Sequence, residues 1–199
     1  LTSVGPSRHG VPRLREAAET VATWFGAHGD DLVFVDNATT GVNAVLRSFP
    51  LAPGDELLLT DLGYGAVANT ARFAARERGA DVRVVTTPWP WRVDDLAEAI
   101  VEAVGPRTRL AVIDHVTPES ALVLPVARIA AGLKAKGVAV LVDGAHAPGA
   151  FGVDIPSLGV DWYVGNLHKW MWVPRASGIL WTAPERQAGL HPVVISWGL

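Results

Sequence analysis

Apolar and polar positions alternate along the chain in blocks that match helices and strands in turn. Apolar residues in 12–27 recur close to helical spacing, which predicts an amphipathic first helix. Short apolar runs of strand length then alternate with longer amphipathic segments. The predicted strands are 32–35, 56–60, 81–86, 109–114 and 138–142, and the predicted helices are 37–49, 66–78, 94–104 and 126–136.

This alternation predicts an α/β fold with a mostly parallel sheet and helices on both faces. The rhythm changes after Asp143, where strands 162–165 and 178–182 follow one another with little helix between them. That change predicts a hairpin or an antiparallel edge strand. Ligands of open α/β sheets bind at the carboxyl ends of the strands, so the loops that follow the strands are where chemistry is expected.

Composition narrows the class of protein. The chain has 199 residues, of which 49% are hydrophobic, and a net charge of -3. A domain of this size buries roughly 70% of the surface of its unfolded chain and needs no covalent staple. The absence of cysteine fits a reducing cytoplasm, which is the location we expect. No basic cluster and no apolar run of about eighteen residues occur, so we expect neither nucleic acid nor a membrane as a partner.

One lysine has unusual neighbours. Lys169 lies in DWYVGNLHKWMW, residues 161–172, among several aromatic residues. Desolvation by aromatic walls lowers the pKa of an ammonium group and favours a nucleophilic amine that forms Schiff bases. The alternative is a surface lysine whose methylene groups cover nearby apolar area. This stretch alone does not choose between the two.

Two other loops offer an anion site and a carboxylate. Segment 36–41, DNATTG, joins hydroxyl groups to a predicted helix N-terminus, which suits phosphate. Taken alone, the segment favours plain N-capping by Asn37 or Thr39 over an anion site. Asp143 follows a predicted apolar strand, and the small residues Gly144 and Ala145 leave room for a flat ring beside its carboxylate. The alternative is an aspartate that caps the next turn.

A further loop offers an aromatic ring. Tyr64 lies between two glycines and is placed to stack on a planar ligand, unless it is a core residue. Taken in chain order, a phosphate site, a stacking ring, a carboxylate for a ring nitrogen and a lysine describe a pocket for pyridoxal 5'-phosphate. No metal site is expected.

The motifs NATTGVNAVLRS, DLGYGA, DHVTPESALVLPV, LVDGAHAPG and GNLHKW occur in that order. In this the chain resembles the class V aminotransferase family of fold type I pyridoxal-phosphate enzymes, and within it the isopenicillin N epimerase-like proteins. The resemblance implies a homodimeric enzyme that acts on a small amino-acid-type substrate. It also implies that residues 1–199 form the cofactor-binding large domain, without the N-terminal segment and small C-terminal domain of family members.

The resemblance implies roles for nine residues. Lys169 would form a Schiff base with the cofactor and carry the proton at the substrate's alpha carbon. Asp143 would keep the pyridine nitrogen protonated, which makes the ring an electron sink. His146 would contact the phenolic oxygen, and these three are the candidate catalytic residues. The remaining cofactor contacts would be Tyr64 and Ala145 beside the ring, and Ala38, Thr39, Asn166 and His168 around the phosphate.

Departures from the family pattern leave the reaction open. Segment 117–120 lacks the asparagine of cysteine desulfurases, which disfavours that activity. Epimerisation and carbon-sulfur or beta-elimination lyase chemistry are the leading expectations, and the alternatives are transamination or a non-catalytic truncated copy. A nucleotide-binding dehydrogenase is disfavoured because no GxGxxG follows the first strand. His115 is expected in the core, and Arg175 is either an anion contact or a surface residue.

Overall fold

A single seven-stranded sheet dominates the structure, a computed structural model that describes residues 10–195. The strands are β1 (Leu32–Val35), β2 (Glu56–Thr60), β3 (Asp81–Val85), β4 (Thr108–Asp114), β5 (Ala139–Gly144), β6 (Trp162–Asn166) and β7 (Gly178–Thr182). Their spatial order is β1-β7-β6-β5-β4-β2-β3. The five strands from β6 to β3 are parallel, whereas β7 is antiparallel to both β6 and β1. The predicted mostly parallel sheet and the predicted hairpin after β5 are confirmed. The strand of opposite direction is β7, which lies next to the edge, whereas the edge strand β1 runs in the same direction as β6.

Helices cover both faces of the sheet, as the alternation predicted. They are α1 (Gly10–Thr23), α2 (Ala38–Ser48), α3 (Gly65–Glu77), α4 (Val93–Glu102), α5 (Val126–Ala135) and a short α6 (Leu167–Trp170). Helices α2 and α3 pack on one face, and α1, α4 and α5 pack on the other, so that two apolar cores flank the sheet. Within residues 10–195, no helix has the length and apolar character needed to cross a membrane.

The first helix is shorter than predicted. It ends at Thr23 and not at Ala27, and Trp24, which the helical pattern placed on the apolar face, is 71% exposed. The chain leaves the helix through Gly26 at φ +64°, a conformation that glycine adopts without strain. Phe25 is thereby turned into the core, where only 3% of it is exposed.

The side chains of strand β5 alternate between the two faces of the sheet. All six of its residues are buried, as expected for a central parallel strand. Leu141 packs in the core under α2 and α3, whereas Val140 and Val142 pack in the opposite core. Because side chains alternate along a strand, Asp143 belongs to the α2 and α3 side and Gly144 to the other.

Gly144 is held against the neighbouring strand. A Cβ atom at this position would lie 2.2 Å from both Cζ and the hydroxyl oxygen of Tyr163 on β6. Tyr163 is fully buried, and its hydroxyl group lies 2.9 Å from Nδ1 of His115. The phenol ring therefore has no free space into which it can retreat, and the end of β5 requires glycine.

Replacement of Gly144 by alanine tests this packing. We expect Gly144→Ala to lower the free energy of unfolding by about 1–3 kcal/mol, the usual cost of overpacking a core. Chemical denaturation measures the change. Gly152→Ala is the matched control, since a Cβ atom there meets nothing within 4 Å. Equal stability of the two variants would contradict the account of the β5 end.

Candidate active site

A cavity of about 240 Å³ opens at the carboxyl ends of β4, β5 and β6, on the side covered by α2 and α3. All nine residues assigned to cofactor binding from the sequence line it. They are Ala38, Thr39, Tyr64, Asp143, Ala145, His146, Asn166, His168 and Lys169, and the further lining residues are Asn37, Asp114, Val116 and Pro118. The fold therefore brings five separate loops to one small space.

Asp143 forms the buried wall of the cavity. Asp143 is 4% exposed, and its Oδ1 accepts a hydrogen bond of 3.0 Å from the backbone amide of Ala145. No other hydrogen bond to this carboxylate occurs among residues 10–195. Burial raises the pKa of Asp143, while the Ala145 amide and the charge of Lys169 lower it. A carboxylate in this setting is stabilised by a cationic hydrogen-bond donor placed in the cavity.

Lys169 lines the same cavity, from α6 directly after β6. Its Nζ is 2.8 Å from Nε2 of His146. Burial lowers the pKa of Lys169, and the charge of Asp143 opposes that shift. Burial and the nearby ammonium group also lower the pKa of His146. A neutral imidazole therefore accepts a hydrogen bond from the amine when its own proton is on Nδ1.

The tryptophans near Lys169 in the sequence do not line the cavity. Trp170 is 49% exposed and Trp172 is 87% exposed, while Tyr163 lies in the core on the other side of the sheet. The expectation that these aromatic side chains desolvate Lys169 is wrong. A one-dimensional pattern does not show that a four-residue helix turns Trp170 and the following residues outward. The lower pKa comes from the position of the amine inside the cavity.

The N-terminus of α2 combines capping with a free donor group. Asn37 caps the helix, since its Oδ1 accepts a hydrogen bond of 2.9 Å from the amide of Thr40. The amide of Ala38 donates to Oδ1 of Asn166 at 2.8 Å. In the described part of the chain, neither the amide nor the hydroxyl group of Thr39 has a hydrogen-bond partner. Capping by Asn37 and an anion site at Thr39 are therefore compatible.

His168 and Tyr64 also line the cavity. His168 Nδ1 lies 3.0 Å from the carbonyl oxygen of Ser177, which leaves Nε2 as the nitrogen available to a ligand. Tyr64 directly precedes α3 and is 49% exposed, so it is not the core residue of the alternative interpretation. Ala145, by contrast, is 9% exposed and packs in the core under α2 and α3.

Asp114 is the main site residue that sequence reasoning missed. It ends β4, pairs in register with Asp143 and is 6% exposed. Burial and the neighbouring Asp143 raise its pKa to about 8. The signal was present, because one predicted strand, 109–114, ends at Asp114 and another, 138–142, is followed directly by Asp143. Adjacent parallel strands end at one edge of a sheet. The ends of the two strands were predictable, but the register of β4 against β5 was not.

Two further residues, His115 and Arg175, lie outside the cavity. His115 is buried. Its Nδ1 is hydrogen-bonded to the hydroxyl group of Tyr163, and its ring packs edge-to-face against Phe151, so it is a core histidine. Arg175 is exposed and does not line the cavity, which supports the surface interpretation over an anion contact.

Comparison with known proteins gives a consistent set of relatives. The family described as Aminotransferase class-V matches residues 8–197. The isopenicillin N epimerase of Amycolatopsis lactamdurans is 38% identical over 96% of this chain and 49% of its own length. The putative L-cysteine desulfhydrase 1 of Oryza sativa subsp. japonica is 36% identical over 92% of this chain and 42% of its own length.

Two solved structures are also similar to this chain. A C-DES mutant with glycine covalently linked to its PLP cofactor superposes with a TM-score of 0.86 at 29% identity, covering 94% of this chain and 49% of that one. C-DES in complex with cysteine persulfide, where it is described as a cystine C-S lyase, gives a TM-score of 0.83. The chain spans about half the length of the curated relatives it matches. On the match of nearly its whole length, the chain belongs to the class V aminotransferase family.

Proposed function

We propose that this chain binds pyridoxal 5'-phosphate and contributes the catalytic groups of an enzyme that acts at the alpha carbon of an amino acid or amino-acid side arm. One observation carries the proposal: the amine of Lys169 and the buried carboxylate of Asp143 face one cavity beside the N-terminus of α2. An amine, a carboxylate and an anion site are the three groups that an aldehyde, a pyridine nitrogen and a phosphate require.

The residues present fit the cofactor in chemistry. Asp143 has one hydrogen bond within the described chain and accepts another from a protonated ring nitrogen. Thr39 offers an amide and a hydroxyl group to a phosphate at the positive end of α2, with Asn166 fixing the adjacent amide. Tyr64 is exposed enough to cover one ring face, and Ala145 is small enough to underlie the other. Family membership and the cofactor of the C-DES structure support the same identification.

Bound pyridoxal phosphate supplies an aldehyde for a covalent link to an amine, and a ring that withdraws electrons from a substrate's alpha carbon. Asp143 supports that withdrawal, because its negative charge holds a proton on the ring nitrogen. A buried carboxylate serves this purpose better than an exposed one, since its charge is little screened by water.

Lys169 has two tasks, both of which need its uncharged form. The uncharged amine would be able to form the covalent link to the aldehyde, and it would also be able to take the proton from the alpha carbon. Burial supports both, because it lowers the pKa of the amine. His146, 2.8 Å from Nζ, holds the amine in place. The family resemblance assigns it the contact with the ring's phenolic oxygen. We assign Lys169, Asp143 and His146 as the catalytic residues.

The reaction that follows alpha-proton removal is proposed from the relatives. Return of the proton on the other face gives epimerisation, and loss of a beta substituent gives carbon-sulfur lyase chemistry. Isopenicillin N epimerases and cysteine desulfhydrases are both among the relatives, and these two outcomes are our leading proposal. A homodimer in the cytoplasm, with this chain as its large domain, completes the proposed assembly.

The first prediction concerns the covalent link. The purified protein mixed with pyridoxal phosphate should show a visible absorption band, and borohydride should fix the cofactor to Lys169, as located by peptide mass. Lys169→Ala should lose the fixation completely, whereas Lys136→Ala, a change of an exposed lysine, should retain it. Fixation that survives in Lys169→Ala would show that another amine carries the cofactor.

The second prediction concerns the ring partner. Asp143→Ala should still bind some cofactor through Lys169 and the α2 N-terminus. It should lose exchange of the substrate alpha proton with deuterated solvent by roughly a hundredfold or more, the scale on which loss of one electrostatic group acts in active sites. Proton exchange is followed by NMR. Exchange at the wild-type rate would mean that Asp143 is misassigned.

The third prediction separates the reactions. One panel of amino acids, including cysteine and cystine, is assayed for racemisation, for pyruvate release and for amino transfer to a keto acid. We expect turnover in the first or the second assay. Activity in the amino-transfer assay alone would overturn the preference for epimerase or lyase chemistry.

A further inference from the structure

Two buried carboxyl groups end adjacent strands on the same face of the sheet. Asp114 on β4 is the register partner of Asp143 on β5. The residues two positions earlier, Val112 and Leu141, both pack in the core under α2 and α3. Because strand side chains alternate, both carboxyl groups belong to that side, and both line the cavity.

Asp114 has no cation of its own. It takes part in none of the ion pairs found among residues 10–195. Its carboxyl lies under the loop before α3, where a Cβ atom on Gly63 would be 3.0 Å from its Oδ2 and where the backbone amide of Tyr64 favours its charged form. The other titratable groups of the cavity are Tyr64, Asp143, His146, His168 and Lys169.

Two neighbouring carboxylates shielded from water do not both ionise near neutral pH, because each charge repels the other and both lose hydration. Burial is the larger cause and Asp143 the second cause that raise the pKa of Asp114 to about 8. The pKa of Asp143 is raised too. Backbone amides favour the charged form of both carboxyl groups, but only the Asp143 carboxylate is also stabilised by the charge of Lys169. Asp143 is therefore the ionised member of the pair, and Asp114 is the protonated one.

We propose that Asp114 is a positioning residue that keeps its proton beside the ionised Asp143, so that the pair presents a single negative charge, located on Asp143, to the ring nitrogen of the cofactor. The identity of the ring rests on the proposed function. The protonation of Asp114 does not, since it follows from the packing of β4 against β5. Asp114 thus acts through Asp143.

Protonation of Asp114 has a measurable consequence for stability. In the unfolded chain Asp114 loses its proton near the ordinary pKa of 3.8, whereas in the folded chain it does so at about 8. Between these values the folded state holds a proton that the unfolded state releases, so the wild-type protein loses stability as pH rises. Asparagine has a similar shape and does not titrate. Asp114→Asn should therefore gain stability relative to wild type with rising pH.

The experiment compares unfolding equilibrium constants of cofactor-free wild type and Asp114→Asn between pH 5 and 7. Their ratio should change by about tenfold per pH unit in favour of the variant, the value for one linked proton. Asp36→Asn is the control, because Asp36 is an exposed aspartate directly after β1, and its ratio should stay flat. A loss of packing or of a hydrogen bond alone shifts the ratio equally at every pH. A flat ratio for Asp114→Asn would overturn the proposal.

A second arm tests the division of roles with pyridoxal phosphate labelled with ¹⁵N in its ring. The bound ring nitrogen should give a protonated resonance in wild type and in Asp114→Asn, and should lose it in Asp143→Asn. The reverse result would make Asp114 the ring partner and overturn the proposal. Failure of wild type to bind the labelled cofactor would instead contradict the proposed function, and the unfolding series then decides the protonation of Asp114 by itself.

Discussion

Burial of the Asp143 carboxyl at the end of β5 is the interaction on which the rest of the site depends. An ionised carboxylate with one backbone hydrogen bond and almost no contact with water is costly unless a cation or a strong donor faces it. Lys169 supplies part of that compensation from across the cavity, and its own pKa reflects the opposing effects of burial and of Asp143. The two groups are thus coupled. In the proposed complex, a protonated ring between them would satisfy the carboxylate and leave the amine uncharged.

Residues on the face of the sheet away from the cavity hold the end of β5 in place. On the face away from the cavity, Tyr163 fills the space next to Gly144 and bonds to His115, whose own backbone amide donates to the carbonyl oxygen of Asp143. The end of β5 is consequently fixed on both sides, by an aromatic core on one and by the cavity on the other. Rigid support of this kind keeps the Asp143 carboxylate in position, as its proposed catalytic role requires, since small displacements at a reacting centre are costly.

Much of this arrangement was predictable from the sequence. Strand lengths, helix order and the change of rhythm after Asp143 are local patterns. The nine residues predicted to contact the cofactor come from the resemblance to the class V family, and all nine line one cavity. What sequence reasoning missed depends on three-dimensional contacts. Trp24, Trp170 and Trp172 are exposed because the chain turns after short or truncated helices, which residue spacing does not show. Asp114 became visible as a site residue only when the register of β4 and β5 was known.

The central claim is that the Lys169 amine and the Asp143 carboxylate hold opposite ends of one small ring. A crystal structure of the protein reconstituted with pyridoxal 5'-phosphate tests it most directly. The account predicts density for the cofactor continuous with Nζ of Lys169, the ring nitrogen within hydrogen-bond distance of Asp143, and the phosphate at Thr39. A cofactor bound outside this cavity, or with its ring nitrogen turned away from Asp143, would contradict the account.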